Sequence, residues 1–111
     1  MDIQTARQGK AVIVKPRGRM DAATAPLFEQ ACDNLVQAGE KAVVMDLSAL
    51  EYISSAGLRT ILSVGKKIKS ASEKLALCSL AGMVKEVFDI SGFTTMFVVT
   101  DSAEQAVNKV V

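Results

Sequence analysis

The chain has 111 residues, half of them apolar, and thirteen basic against twelve acidic side chains give a formal net charge of +1. This length and apolar content suit one domain with one hydrophobic core, and we expect residues 1–111 to form it. A net charge so close to zero excludes a global field that would draw the protein to nucleic acid or an anionic membrane. Partner choice must therefore depend on local surface.

The cysteines and the N-terminus bear on metal sites and on compartment. The chain has no histidine, and its two cysteines, Cys32 and Cys78, lie in separate apolar segments. A zinc site normally gathers four ligands of the Cys and His type, so we expect no metal and no cofactor. The first residues lack a signal-peptide pattern, and no apolar run approaches the ~20 residues needed to span a bilayer. We expect a cytoplasmic protein with free thiols and no membrane contact.

The first part of the chain is predicted to form a hairpin and then a helix. Strands near residues 3–7 and 11–14 flank Gly9, and Pro16 and Gly18 are expected to end the second strand. A helix is predicted after Asp21, with Thr24 as its cap, Pro26 in its first turn and Gly39 at its end. Its predicted core-facing residues are Leu27, Phe28, Ala31, Leu35 and Val36.

The middle of the chain joins an apolar strand to an amphipathic helix through two adjacent serines. Residues 42–47 indicate a buried strand, and Ser54 and Ser55 precede the next helix. An N-terminus of a helix offers unpaired N–H groups and the positive end of the macrodipole, which favour an anion such as phosphate. The simpler interpretation is that one serine caps the helix. The apolar helix positions are Leu58, Ile61, Leu62, Gly65 and Ile68.

The last part of the chain continues the alternation. Residues 74–78 indicate a third apolar strand, residues 83–88 a short helix, and residues 96–99 a last strand. Ser102 and Gln105 have the spacing of a capping box at the start of a final helix. Strands that alternate with helices indicate βαβ units. We therefore predict an α/β fold with a small mixed, largely parallel sheet and about four helices.

Sites in open sheets of this kind form beyond the carboxyl ends of the strands. The turn at Met20 and Asp21 follows one predicted strand, and the loop over residues 52–55 follows another. We expect both turns to lie at the same edge of the sheet and to form the functional face.

Four segments, residues 18–21, 43–50, 53–59 and 88–93, occur in an order that resembles the STAS domain of bacterial anti-sigma-factor antagonists. The similarity runs from about Ile13 to Val107, and its most specific parts are Asp-Leu-Ser and Ser-Ser-Ala-Gly-Leu. The resemblance implies a single STAS-like domain. It also implies a partner-switching regulator rather than an enzyme.

The resemblance also implies site residues. The family is phosphorylated on the serine before Ser/Thr/Ala-Gly-Leu at a helix start, which is Ser55 here. Ser54 stands where many members carry Asp, and it is the alternative acceptor. Asp21 resembles an acidic position on the kinase-binding face, and Gly57 and Arg59 are further candidates for partner contact. From the residues alone, Asp21 also fits a turn or cap, Gly57 a packing role and Arg59 a solvated side chain.

The partners that the resemblance implies are an anti-sigma factor that is also a serine kinase, and a metal-dependent serine phosphatase. The unphosphorylated domain would bind the kinase and release its sigma factor, and phosphorylation would end that binding. Two alternatives remain: a non-switching STAS scaffold or regulatory subunit of a larger assembly, and binding of a nucleotide or small ligand at the helix N-terminus. The cluster Lys66-Lys67-Ile68-Lys69 is interpreted as a solvated helix face.

Overall fold

The computed structural model describes residues 1–71 and 74–111 and confirms the predicted α/β class. Within these ranges the chain forms a six-stranded mixed sheet and four α-helices. The elements are β1 (Asp2–Gln8), β2 (Ala11–Met20), α1 (Ala25–Gln37), β3 (Ala42–Asp46), β4 (Leu50–Ile53), α2 (Ser55–Ser70), β5 (Lys74–Cys78), α3 (Gly82–Ser91), a 3-10 turn (Phe93–Thr95), β6 (Val98–Thr100) and α4 (Ala103–Val110).

The strands run in the order β1-β2-β3-β5-β6, and β4 pairs with the far end of β2. The hairpin of β1 and β2 is antiparallel, whereas the other strand pairs are parallel. Every residue of β3 is buried, because helices cover this central strand on both faces of the sheet. Residues of α1, α2 and α3 pack in one apolar cluster, and α4 packs in a second cluster on the other face.

The predicted end of β2 at Pro16 and Gly18 is wrong, since the strand continues to Met20. Val14 is the last residue of β2 paired with β3, and Gly18 is the first paired with β4. Pro16 therefore lies where β2 changes its parallel partner, so its missing N–H interrupts neither parallel ladder. Gly18 has a φ of +101° beside a shift in the register, as expected of an irregularity that only glycine adopts without strain.

The strand β4 was not predicted, and Tyr52 and Ile53, expected in a loop, form its last two residues. This strand has four residues, of which Leu50 and Ile53 are buried, so its sequence pattern is too short to indicate a strand. Its extended conformation is stabilised by pairing with β2. The last strand, Val98–Thr100, begins two residues later and ends one residue later than predicted.

The predicted core face of α1 is confirmed at Phe28, which is buried, and at Leu35 and Val36, which pack against the core. Ala31 is half-buried, and the prediction is wrong at Leu27, which is 52% exposed. The buried residues of this face are Ala25, Phe28 and Cys32. Leu27 lies about 100° around the helix from Phe28 and therefore points away from them. Thr24 occupies the N-cap position, but its hydroxyl does not cap the helix; it donates to the backbone oxygen of Arg19 at 2.7 Å. At the start of α4, the Ser102 Oγ atom accepts from the Gln105 N–H at 3.2 Å, which confirms the first half of the predicted capping box. The Gln105 Oε1 atom accepts from the Asp101 N–H at 3.0 Å, one residue before the N–H that a capping box would use.

Candidate functional site

The carboxyl ends of β2 and β4 lie side by side, as expected for the two turns that follow them. Met20 pairs with Ile53 in the parallel register. The backbone N–H of Ser54 continues that ladder by donating to the Met20 oxygen at 2.9 Å. The turn at Asp21 and the start of α2 are therefore fixed to one another at a single edge of the sheet, which we call the switch edge.

Ser54 is the N-cap of α2. Its backbone is extended, with φ −90° and ψ 174°, and its Oγ atom accepts a hydrogen bond from the Gly57 N–H at 3.1 Å. The backbone oxygen of Ser54 accepts from Leu58 at 2.9 Å and starts the helical ladder. The half-buried Ser54 side chain thus satisfies an otherwise unpaired N–H group of the first turn.

Ser55 is the first residue of α2, and its side chain is exposed. Among residues 1–71 and 74–111, no side chain or backbone group forms a hydrogen bond with its hydroxyl. The two adjacent serines therefore differ chemically: Ser54 is held in the cap, whereas Ser55 presents a free hydroxyl at the positive end of a sixteen-residue helix.

Gly57 is buried in the first turn of α2, directly above the end of β2. A Cβ atom at this position would lie 2.6 Å from the backbone oxygen of Met20 and 3.0 Å from a side-chain carbon of Ile53. Because the nearest atom belongs to the backbone, a side chain could fit only if the helix start moved away from the strand. Gly57 therefore sets the close approach of α2 to β2 and lies behind the exposed surface.

Asp21 forms the turn between β2 and α1. Its Oδ1 atom accepts hydrogen bonds from the N–H groups of Thr24 at 3.1 Å and Ala23 at 3.0 Å. The Thr24 N–H bond is the main cause that lowers the pKa of the Asp21 carboxyl, and the nearby Arg19 charge adds to it. The carboxylate thus has a clear role in the turn, and half-exposure leaves part of it available to a partner.

Two further side chains lie beside the switch edge and were not assigned from the sequence. Arg19 and Tyr52 are paired across β2 and β4, and the Arg19 guanidinium carbon lies 4.1 Å from the centre of the Tyr52 ring. This cation–π contact holds a positive charge one residue before Met20. The contact could not be predicted from the sequence, because it depends on the pairing of β2 with the unpredicted strand β4. Arg59 is exposed on α2, one turn after Ser55, as predicted.

Asp46 shapes the turn after β3, since the Ser48 N–H donates to its Oδ1 atom at 3.0 Å. Across the described ranges, no group of three or more His, Cys, Asp or Glu side chains is placed to hold a metal ion. In the same ranges, no helix has the length and apolar character needed to cross a bilayer.

The mixed, largely parallel sheet, the helices on both faces and the serine pair at the switch edge define a small α/β domain. The sequence model of the STAS domain matches residues 2–106, and the chain belongs to this family.

Three known proteins show the extent of the similarity. A protein of Bordetella bronchiseptica, provisionally named anti-sigma factor antagonist BtrV, is 44% identical over 90 residues, which cover 81% of this chain and 78% of that protein. A crystal structure from Thermotoga maritima, provisionally described as an anti-sigma factor antagonist, has a TM-score of 0.89 at 24% identity, with 97% and 93% of the two chains covered. The Bacillus cell fate determinant SpoIIAA in its phosphorylated form has a TM-score of 0.75 at 15% identity, with 99% and 100% covered.

Proposed function

We propose that this protein is an anti-sigma-factor antagonist whose binding is switched off by phosphorylation of Ser55. The unphosphorylated form binds an anti-sigma factor that is also a serine kinase, and the sigma factor held by that kinase is released. A metal-dependent serine phosphatase restores the binding form. These partners act together in the cytoplasm, where transcription takes place.

The free hydroxyl of Ser55 carries this proposal. It is exposed, lies at the start of α2 and has no hydrogen-bond partner in the described part of the chain, whereas the neighbouring Ser54 hydroxyl is held in the cap. The relative that is 44% identical is named as an anti-sigma factor antagonist, which supports the same function here. The phosphorylated form in which SpoIIAA was solved is consistent with a phosphate on this fold.

The chemistry of the switch is phosphoryl transfer to Ser55 by the partner. The Ser55 Oγ atom attacks the γ-phosphorus of ATP, the bond from that phosphorus to the bridging oxygen breaks, and ADP leaves while the hydroxyl proton passes to a base of the kinase. Ser55 is a substrate here, because no general base of this chain contacts its hydroxyl among the described residues. We therefore propose a regulatory module and not an enzyme.

The phosphate acts on binding more than on folding. Phosphoserine adds about −1.5 to −2 charges and three acceptor oxygens. The N-terminus of α2 accommodates this charge, whereas a packed protein interface would have to desolvate it. Asp21, fixed beside the same edge, contributes a second negative charge to the binding surface. We propose a partner-binding surface at Asp21, Ser54 and Arg59 around Ser55. Gly57, which the sequence suggested as a further contact residue, is buried and instead sets the position of the helix start behind this surface.

Incubation with a serine kinase of the anti-sigma-factor class from the same organism and ATP, followed by intact mass and phosphopeptide mapping, tests the proposal. Ser55→Ala removes the acceptor, and Ser54→Asp removes the other hydroxyl but keeps a good helix cap. We expect wild type and Ser54→Asp to gain one phosphoryl group and Ser55→Ala to gain none. Ser63→Ala, at an exposed serine of the same helix, is the matched control and should be phosphorylated.

Phosphate found on Ser54 alone would show that Ser54, the alternative acceptor, is the regulatory phosphorylation site. A wild-type protein that bound the kinase but gained no phosphate would instead identify a non-switching scaffold.

A further inference from the structure

Two cavities adjoin each other at the end of the molecule opposite the switch edge. One has a volume of about 410 Å³ and the other about 230 Å³, and both are lined by Lys69 and Phe97. They lie where β5 and β6 begin and α2 ends. We call this continuous surface the lysine groove; its rim consists of Lys66, Lys69, Lys74 and Lys109, and its floor consists of Phe97 and Val98.

Within residues 1–71 and 74–111, the lysines of the groove have no acidic partner. Lys67, next to them on α2, pairs with Glu29 at 3.1 Å and Asp33 at 3.7 Å on α1. By contrast, no carboxylate of the described residues lies within 4.0 Å of any rim lysine. Of the lysines in the cluster over residues 66–69, Lys67 pairs with α1. The other groove lysines concentrate positive charge that no described carboxylate compensates at close range.

The floor of the groove is apolar and partly open. Val98 is 47% exposed, and the neighbouring Met96 is 42% exposed. The Phe97 ring lies directly against α2 at Gly65, where a Cβ atom would come within 2.5 Å of the ring. The Lys69 ammonium is placed above this floor, 5.9 Å from the centre of the Phe97 ring and 3.4 Å from the Met96 backbone oxygen.

The groove borders an edge of the sheet. β6 is the last strand in the order and pairs with β5 on one side only. An edge strand offers backbone N–H and C=O groups to another extended chain. An extended segment beside β6 would place alternate side chains on the apolar floor and the others near the lysines.

We propose that the lysine groove is a second docking site, which binds an extended acidic segment of a partner protein through alternating apolar and carboxylate side chains. Charge complementarity to the unpaired lysines selects acidic residues, and the exposed floor at Val98 selects apolar ones. The edge of β6 favours an extended protein segment over a lipid surface.

This second site is independent of the switch edge. Ser55 and Lys69 are at opposite ends of α2, roughly 21 Å apart at about 1.5 Å per helical residue. An extended segment seated at Lys69 therefore leaves Ser55 uncovered, and the switch edge stays open to another partner. Phosphorylation would release the partner at the switch edge and leave the second one bound.

Fluorescence anisotropy with a labelled short peptide of alternating glutamate and valine tests this site in the full chain. We expect binding that weakens strongly as salt rises from about 0.1 M to about 1 M, because the Debye length falls from about 10 Å to about 3 Å. The double variant Lys66→Glu/Lys69→Glu should weaken binding by about tenfold or more. Lys10→Glu/Lys85→Glu makes the same charge change at exposed positions outside the groove and should bind within about twofold of wild type.

A peptide of alternating lysine and valine should not bind. Backbone amide shifts in a titration followed by NMR should be largest at residues 96–100 and the end of α2. The proposal would be overturned if the acidic peptide failed to bind at low salt. It would also be overturned if the control variant lost as much affinity for the peptide as the groove variant. Binding to vesicles containing phosphatidylglycerol without binding to the peptide would also overturn it in favour of a lipid surface. Thermal melts establish that the variants are folded.

Discussion

The Oγ atom of Ser54 accepts a hydrogen bond from the backbone N–H of Gly57 at 3.1 Å and thereby caps α2. This contact separates the roles of the two serines. We predict that Ser54→Ala lowers the free energy of unfolding by about 0.5–2 kcal/mol, whereas Ser54→Asp, which can also cap, stays close to wild type. Ser55→Ala should change it by less than about 0.5 kcal/mol, because the exposed hydroxyl has no partner among the described residues. Urea unfolding of the variants measures all three values.

A Ser55→Ala protein that lost as much stability as Ser54→Ala would show that the cap is shared between the two hydroxyls.

The second prediction concerns the contact of α2 with β2. Gly57→Ala would place a Cβ atom 2.6 Å from the Met20 backbone oxygen, so the start of the helix must move. We expect a loss of about 1–3 kcal/mol in unfolding free energy and weaker kinase binding, because Ser54 and Ser55 move with the helix. Ala56→Gly, at the half-buried position before it, is the control and should cost only about 1 kcal/mol. Unchanged stability in Gly57→Ala would contradict the close approach.

The third prediction follows from the depressed pKa of Asp21. A carboxyl whose pKa is lower in the folded state than in the unfolded state stabilises the protein at pH values above its unfolded pKa of about 3.9. This stabilisation is lost as the pH falls through the lower pKa of the folded state. Wild type should therefore be more stable than Asp21→Asn at neutral pH, and the difference in melting temperature should shrink below about pH 4. Thermal melts across that range test the sign. A difference that grew on acidification would mean that the turn favours the protonated carboxyl.

The fourth prediction concerns the two thiols. Cys32 and Cys78 are free and buried, and burial raises the pKa of Cys32 to about 12. Burial likewise raises the pKa of Cys78, so neither thiolate is abundant near neutral pH. Alkylation of the native protein, purified without reductant, should be slow at both sites, and both thiols should react once urea unfolds the chain. Rapid native reaction at Cys32 would contradict its burial.

Strong periodic patterns made much of this fold predictable. The buried run at 42–47 and the helical spacing of Ile61, Gly65 and Ile68 produced β3 and α2 where expected, because each pattern repeats over several residues. The shared edge of the two turns was expected because parallel strands have their carboxyl ends at the same edge of the sheet, although the second turn follows the unpredicted strand β4. The free and capped serines could not be separated from sequence, because adjacent hydroxyls have the same local preference.

What the sequence did not reveal depends on contacts between distant segments. β4 is stabilised by β2 rather than by its own four residues, and β2 passes Pro16 because its parallel partner changes there. The cation–π pair of Arg19 and Tyr52 required both of these facts. The lysine groove joins residues from α2, β5, β6 and α4, so no single stretch of sequence contains it.

The most direct test of the switch is calorimetric titration of the anti-sigma kinase with wild type, Ser55→Ala and Ser55→Asp. Ser55→Ala should bind and stay bound with ATP present, since it keeps an uncharged surface and offers no acceptor. Ser55→Asp should weaken binding by roughly 2–5 kcal/mol, because its carboxylate must be desolvated without a partner at the interface. Ser63→Asp, which adds the same charge at an exposed position farther along α2, should bind like wild type. If Ser55→Asp bound as tightly as wild type while melts showed it folded, charge exclusion at Ser55 would be wrong.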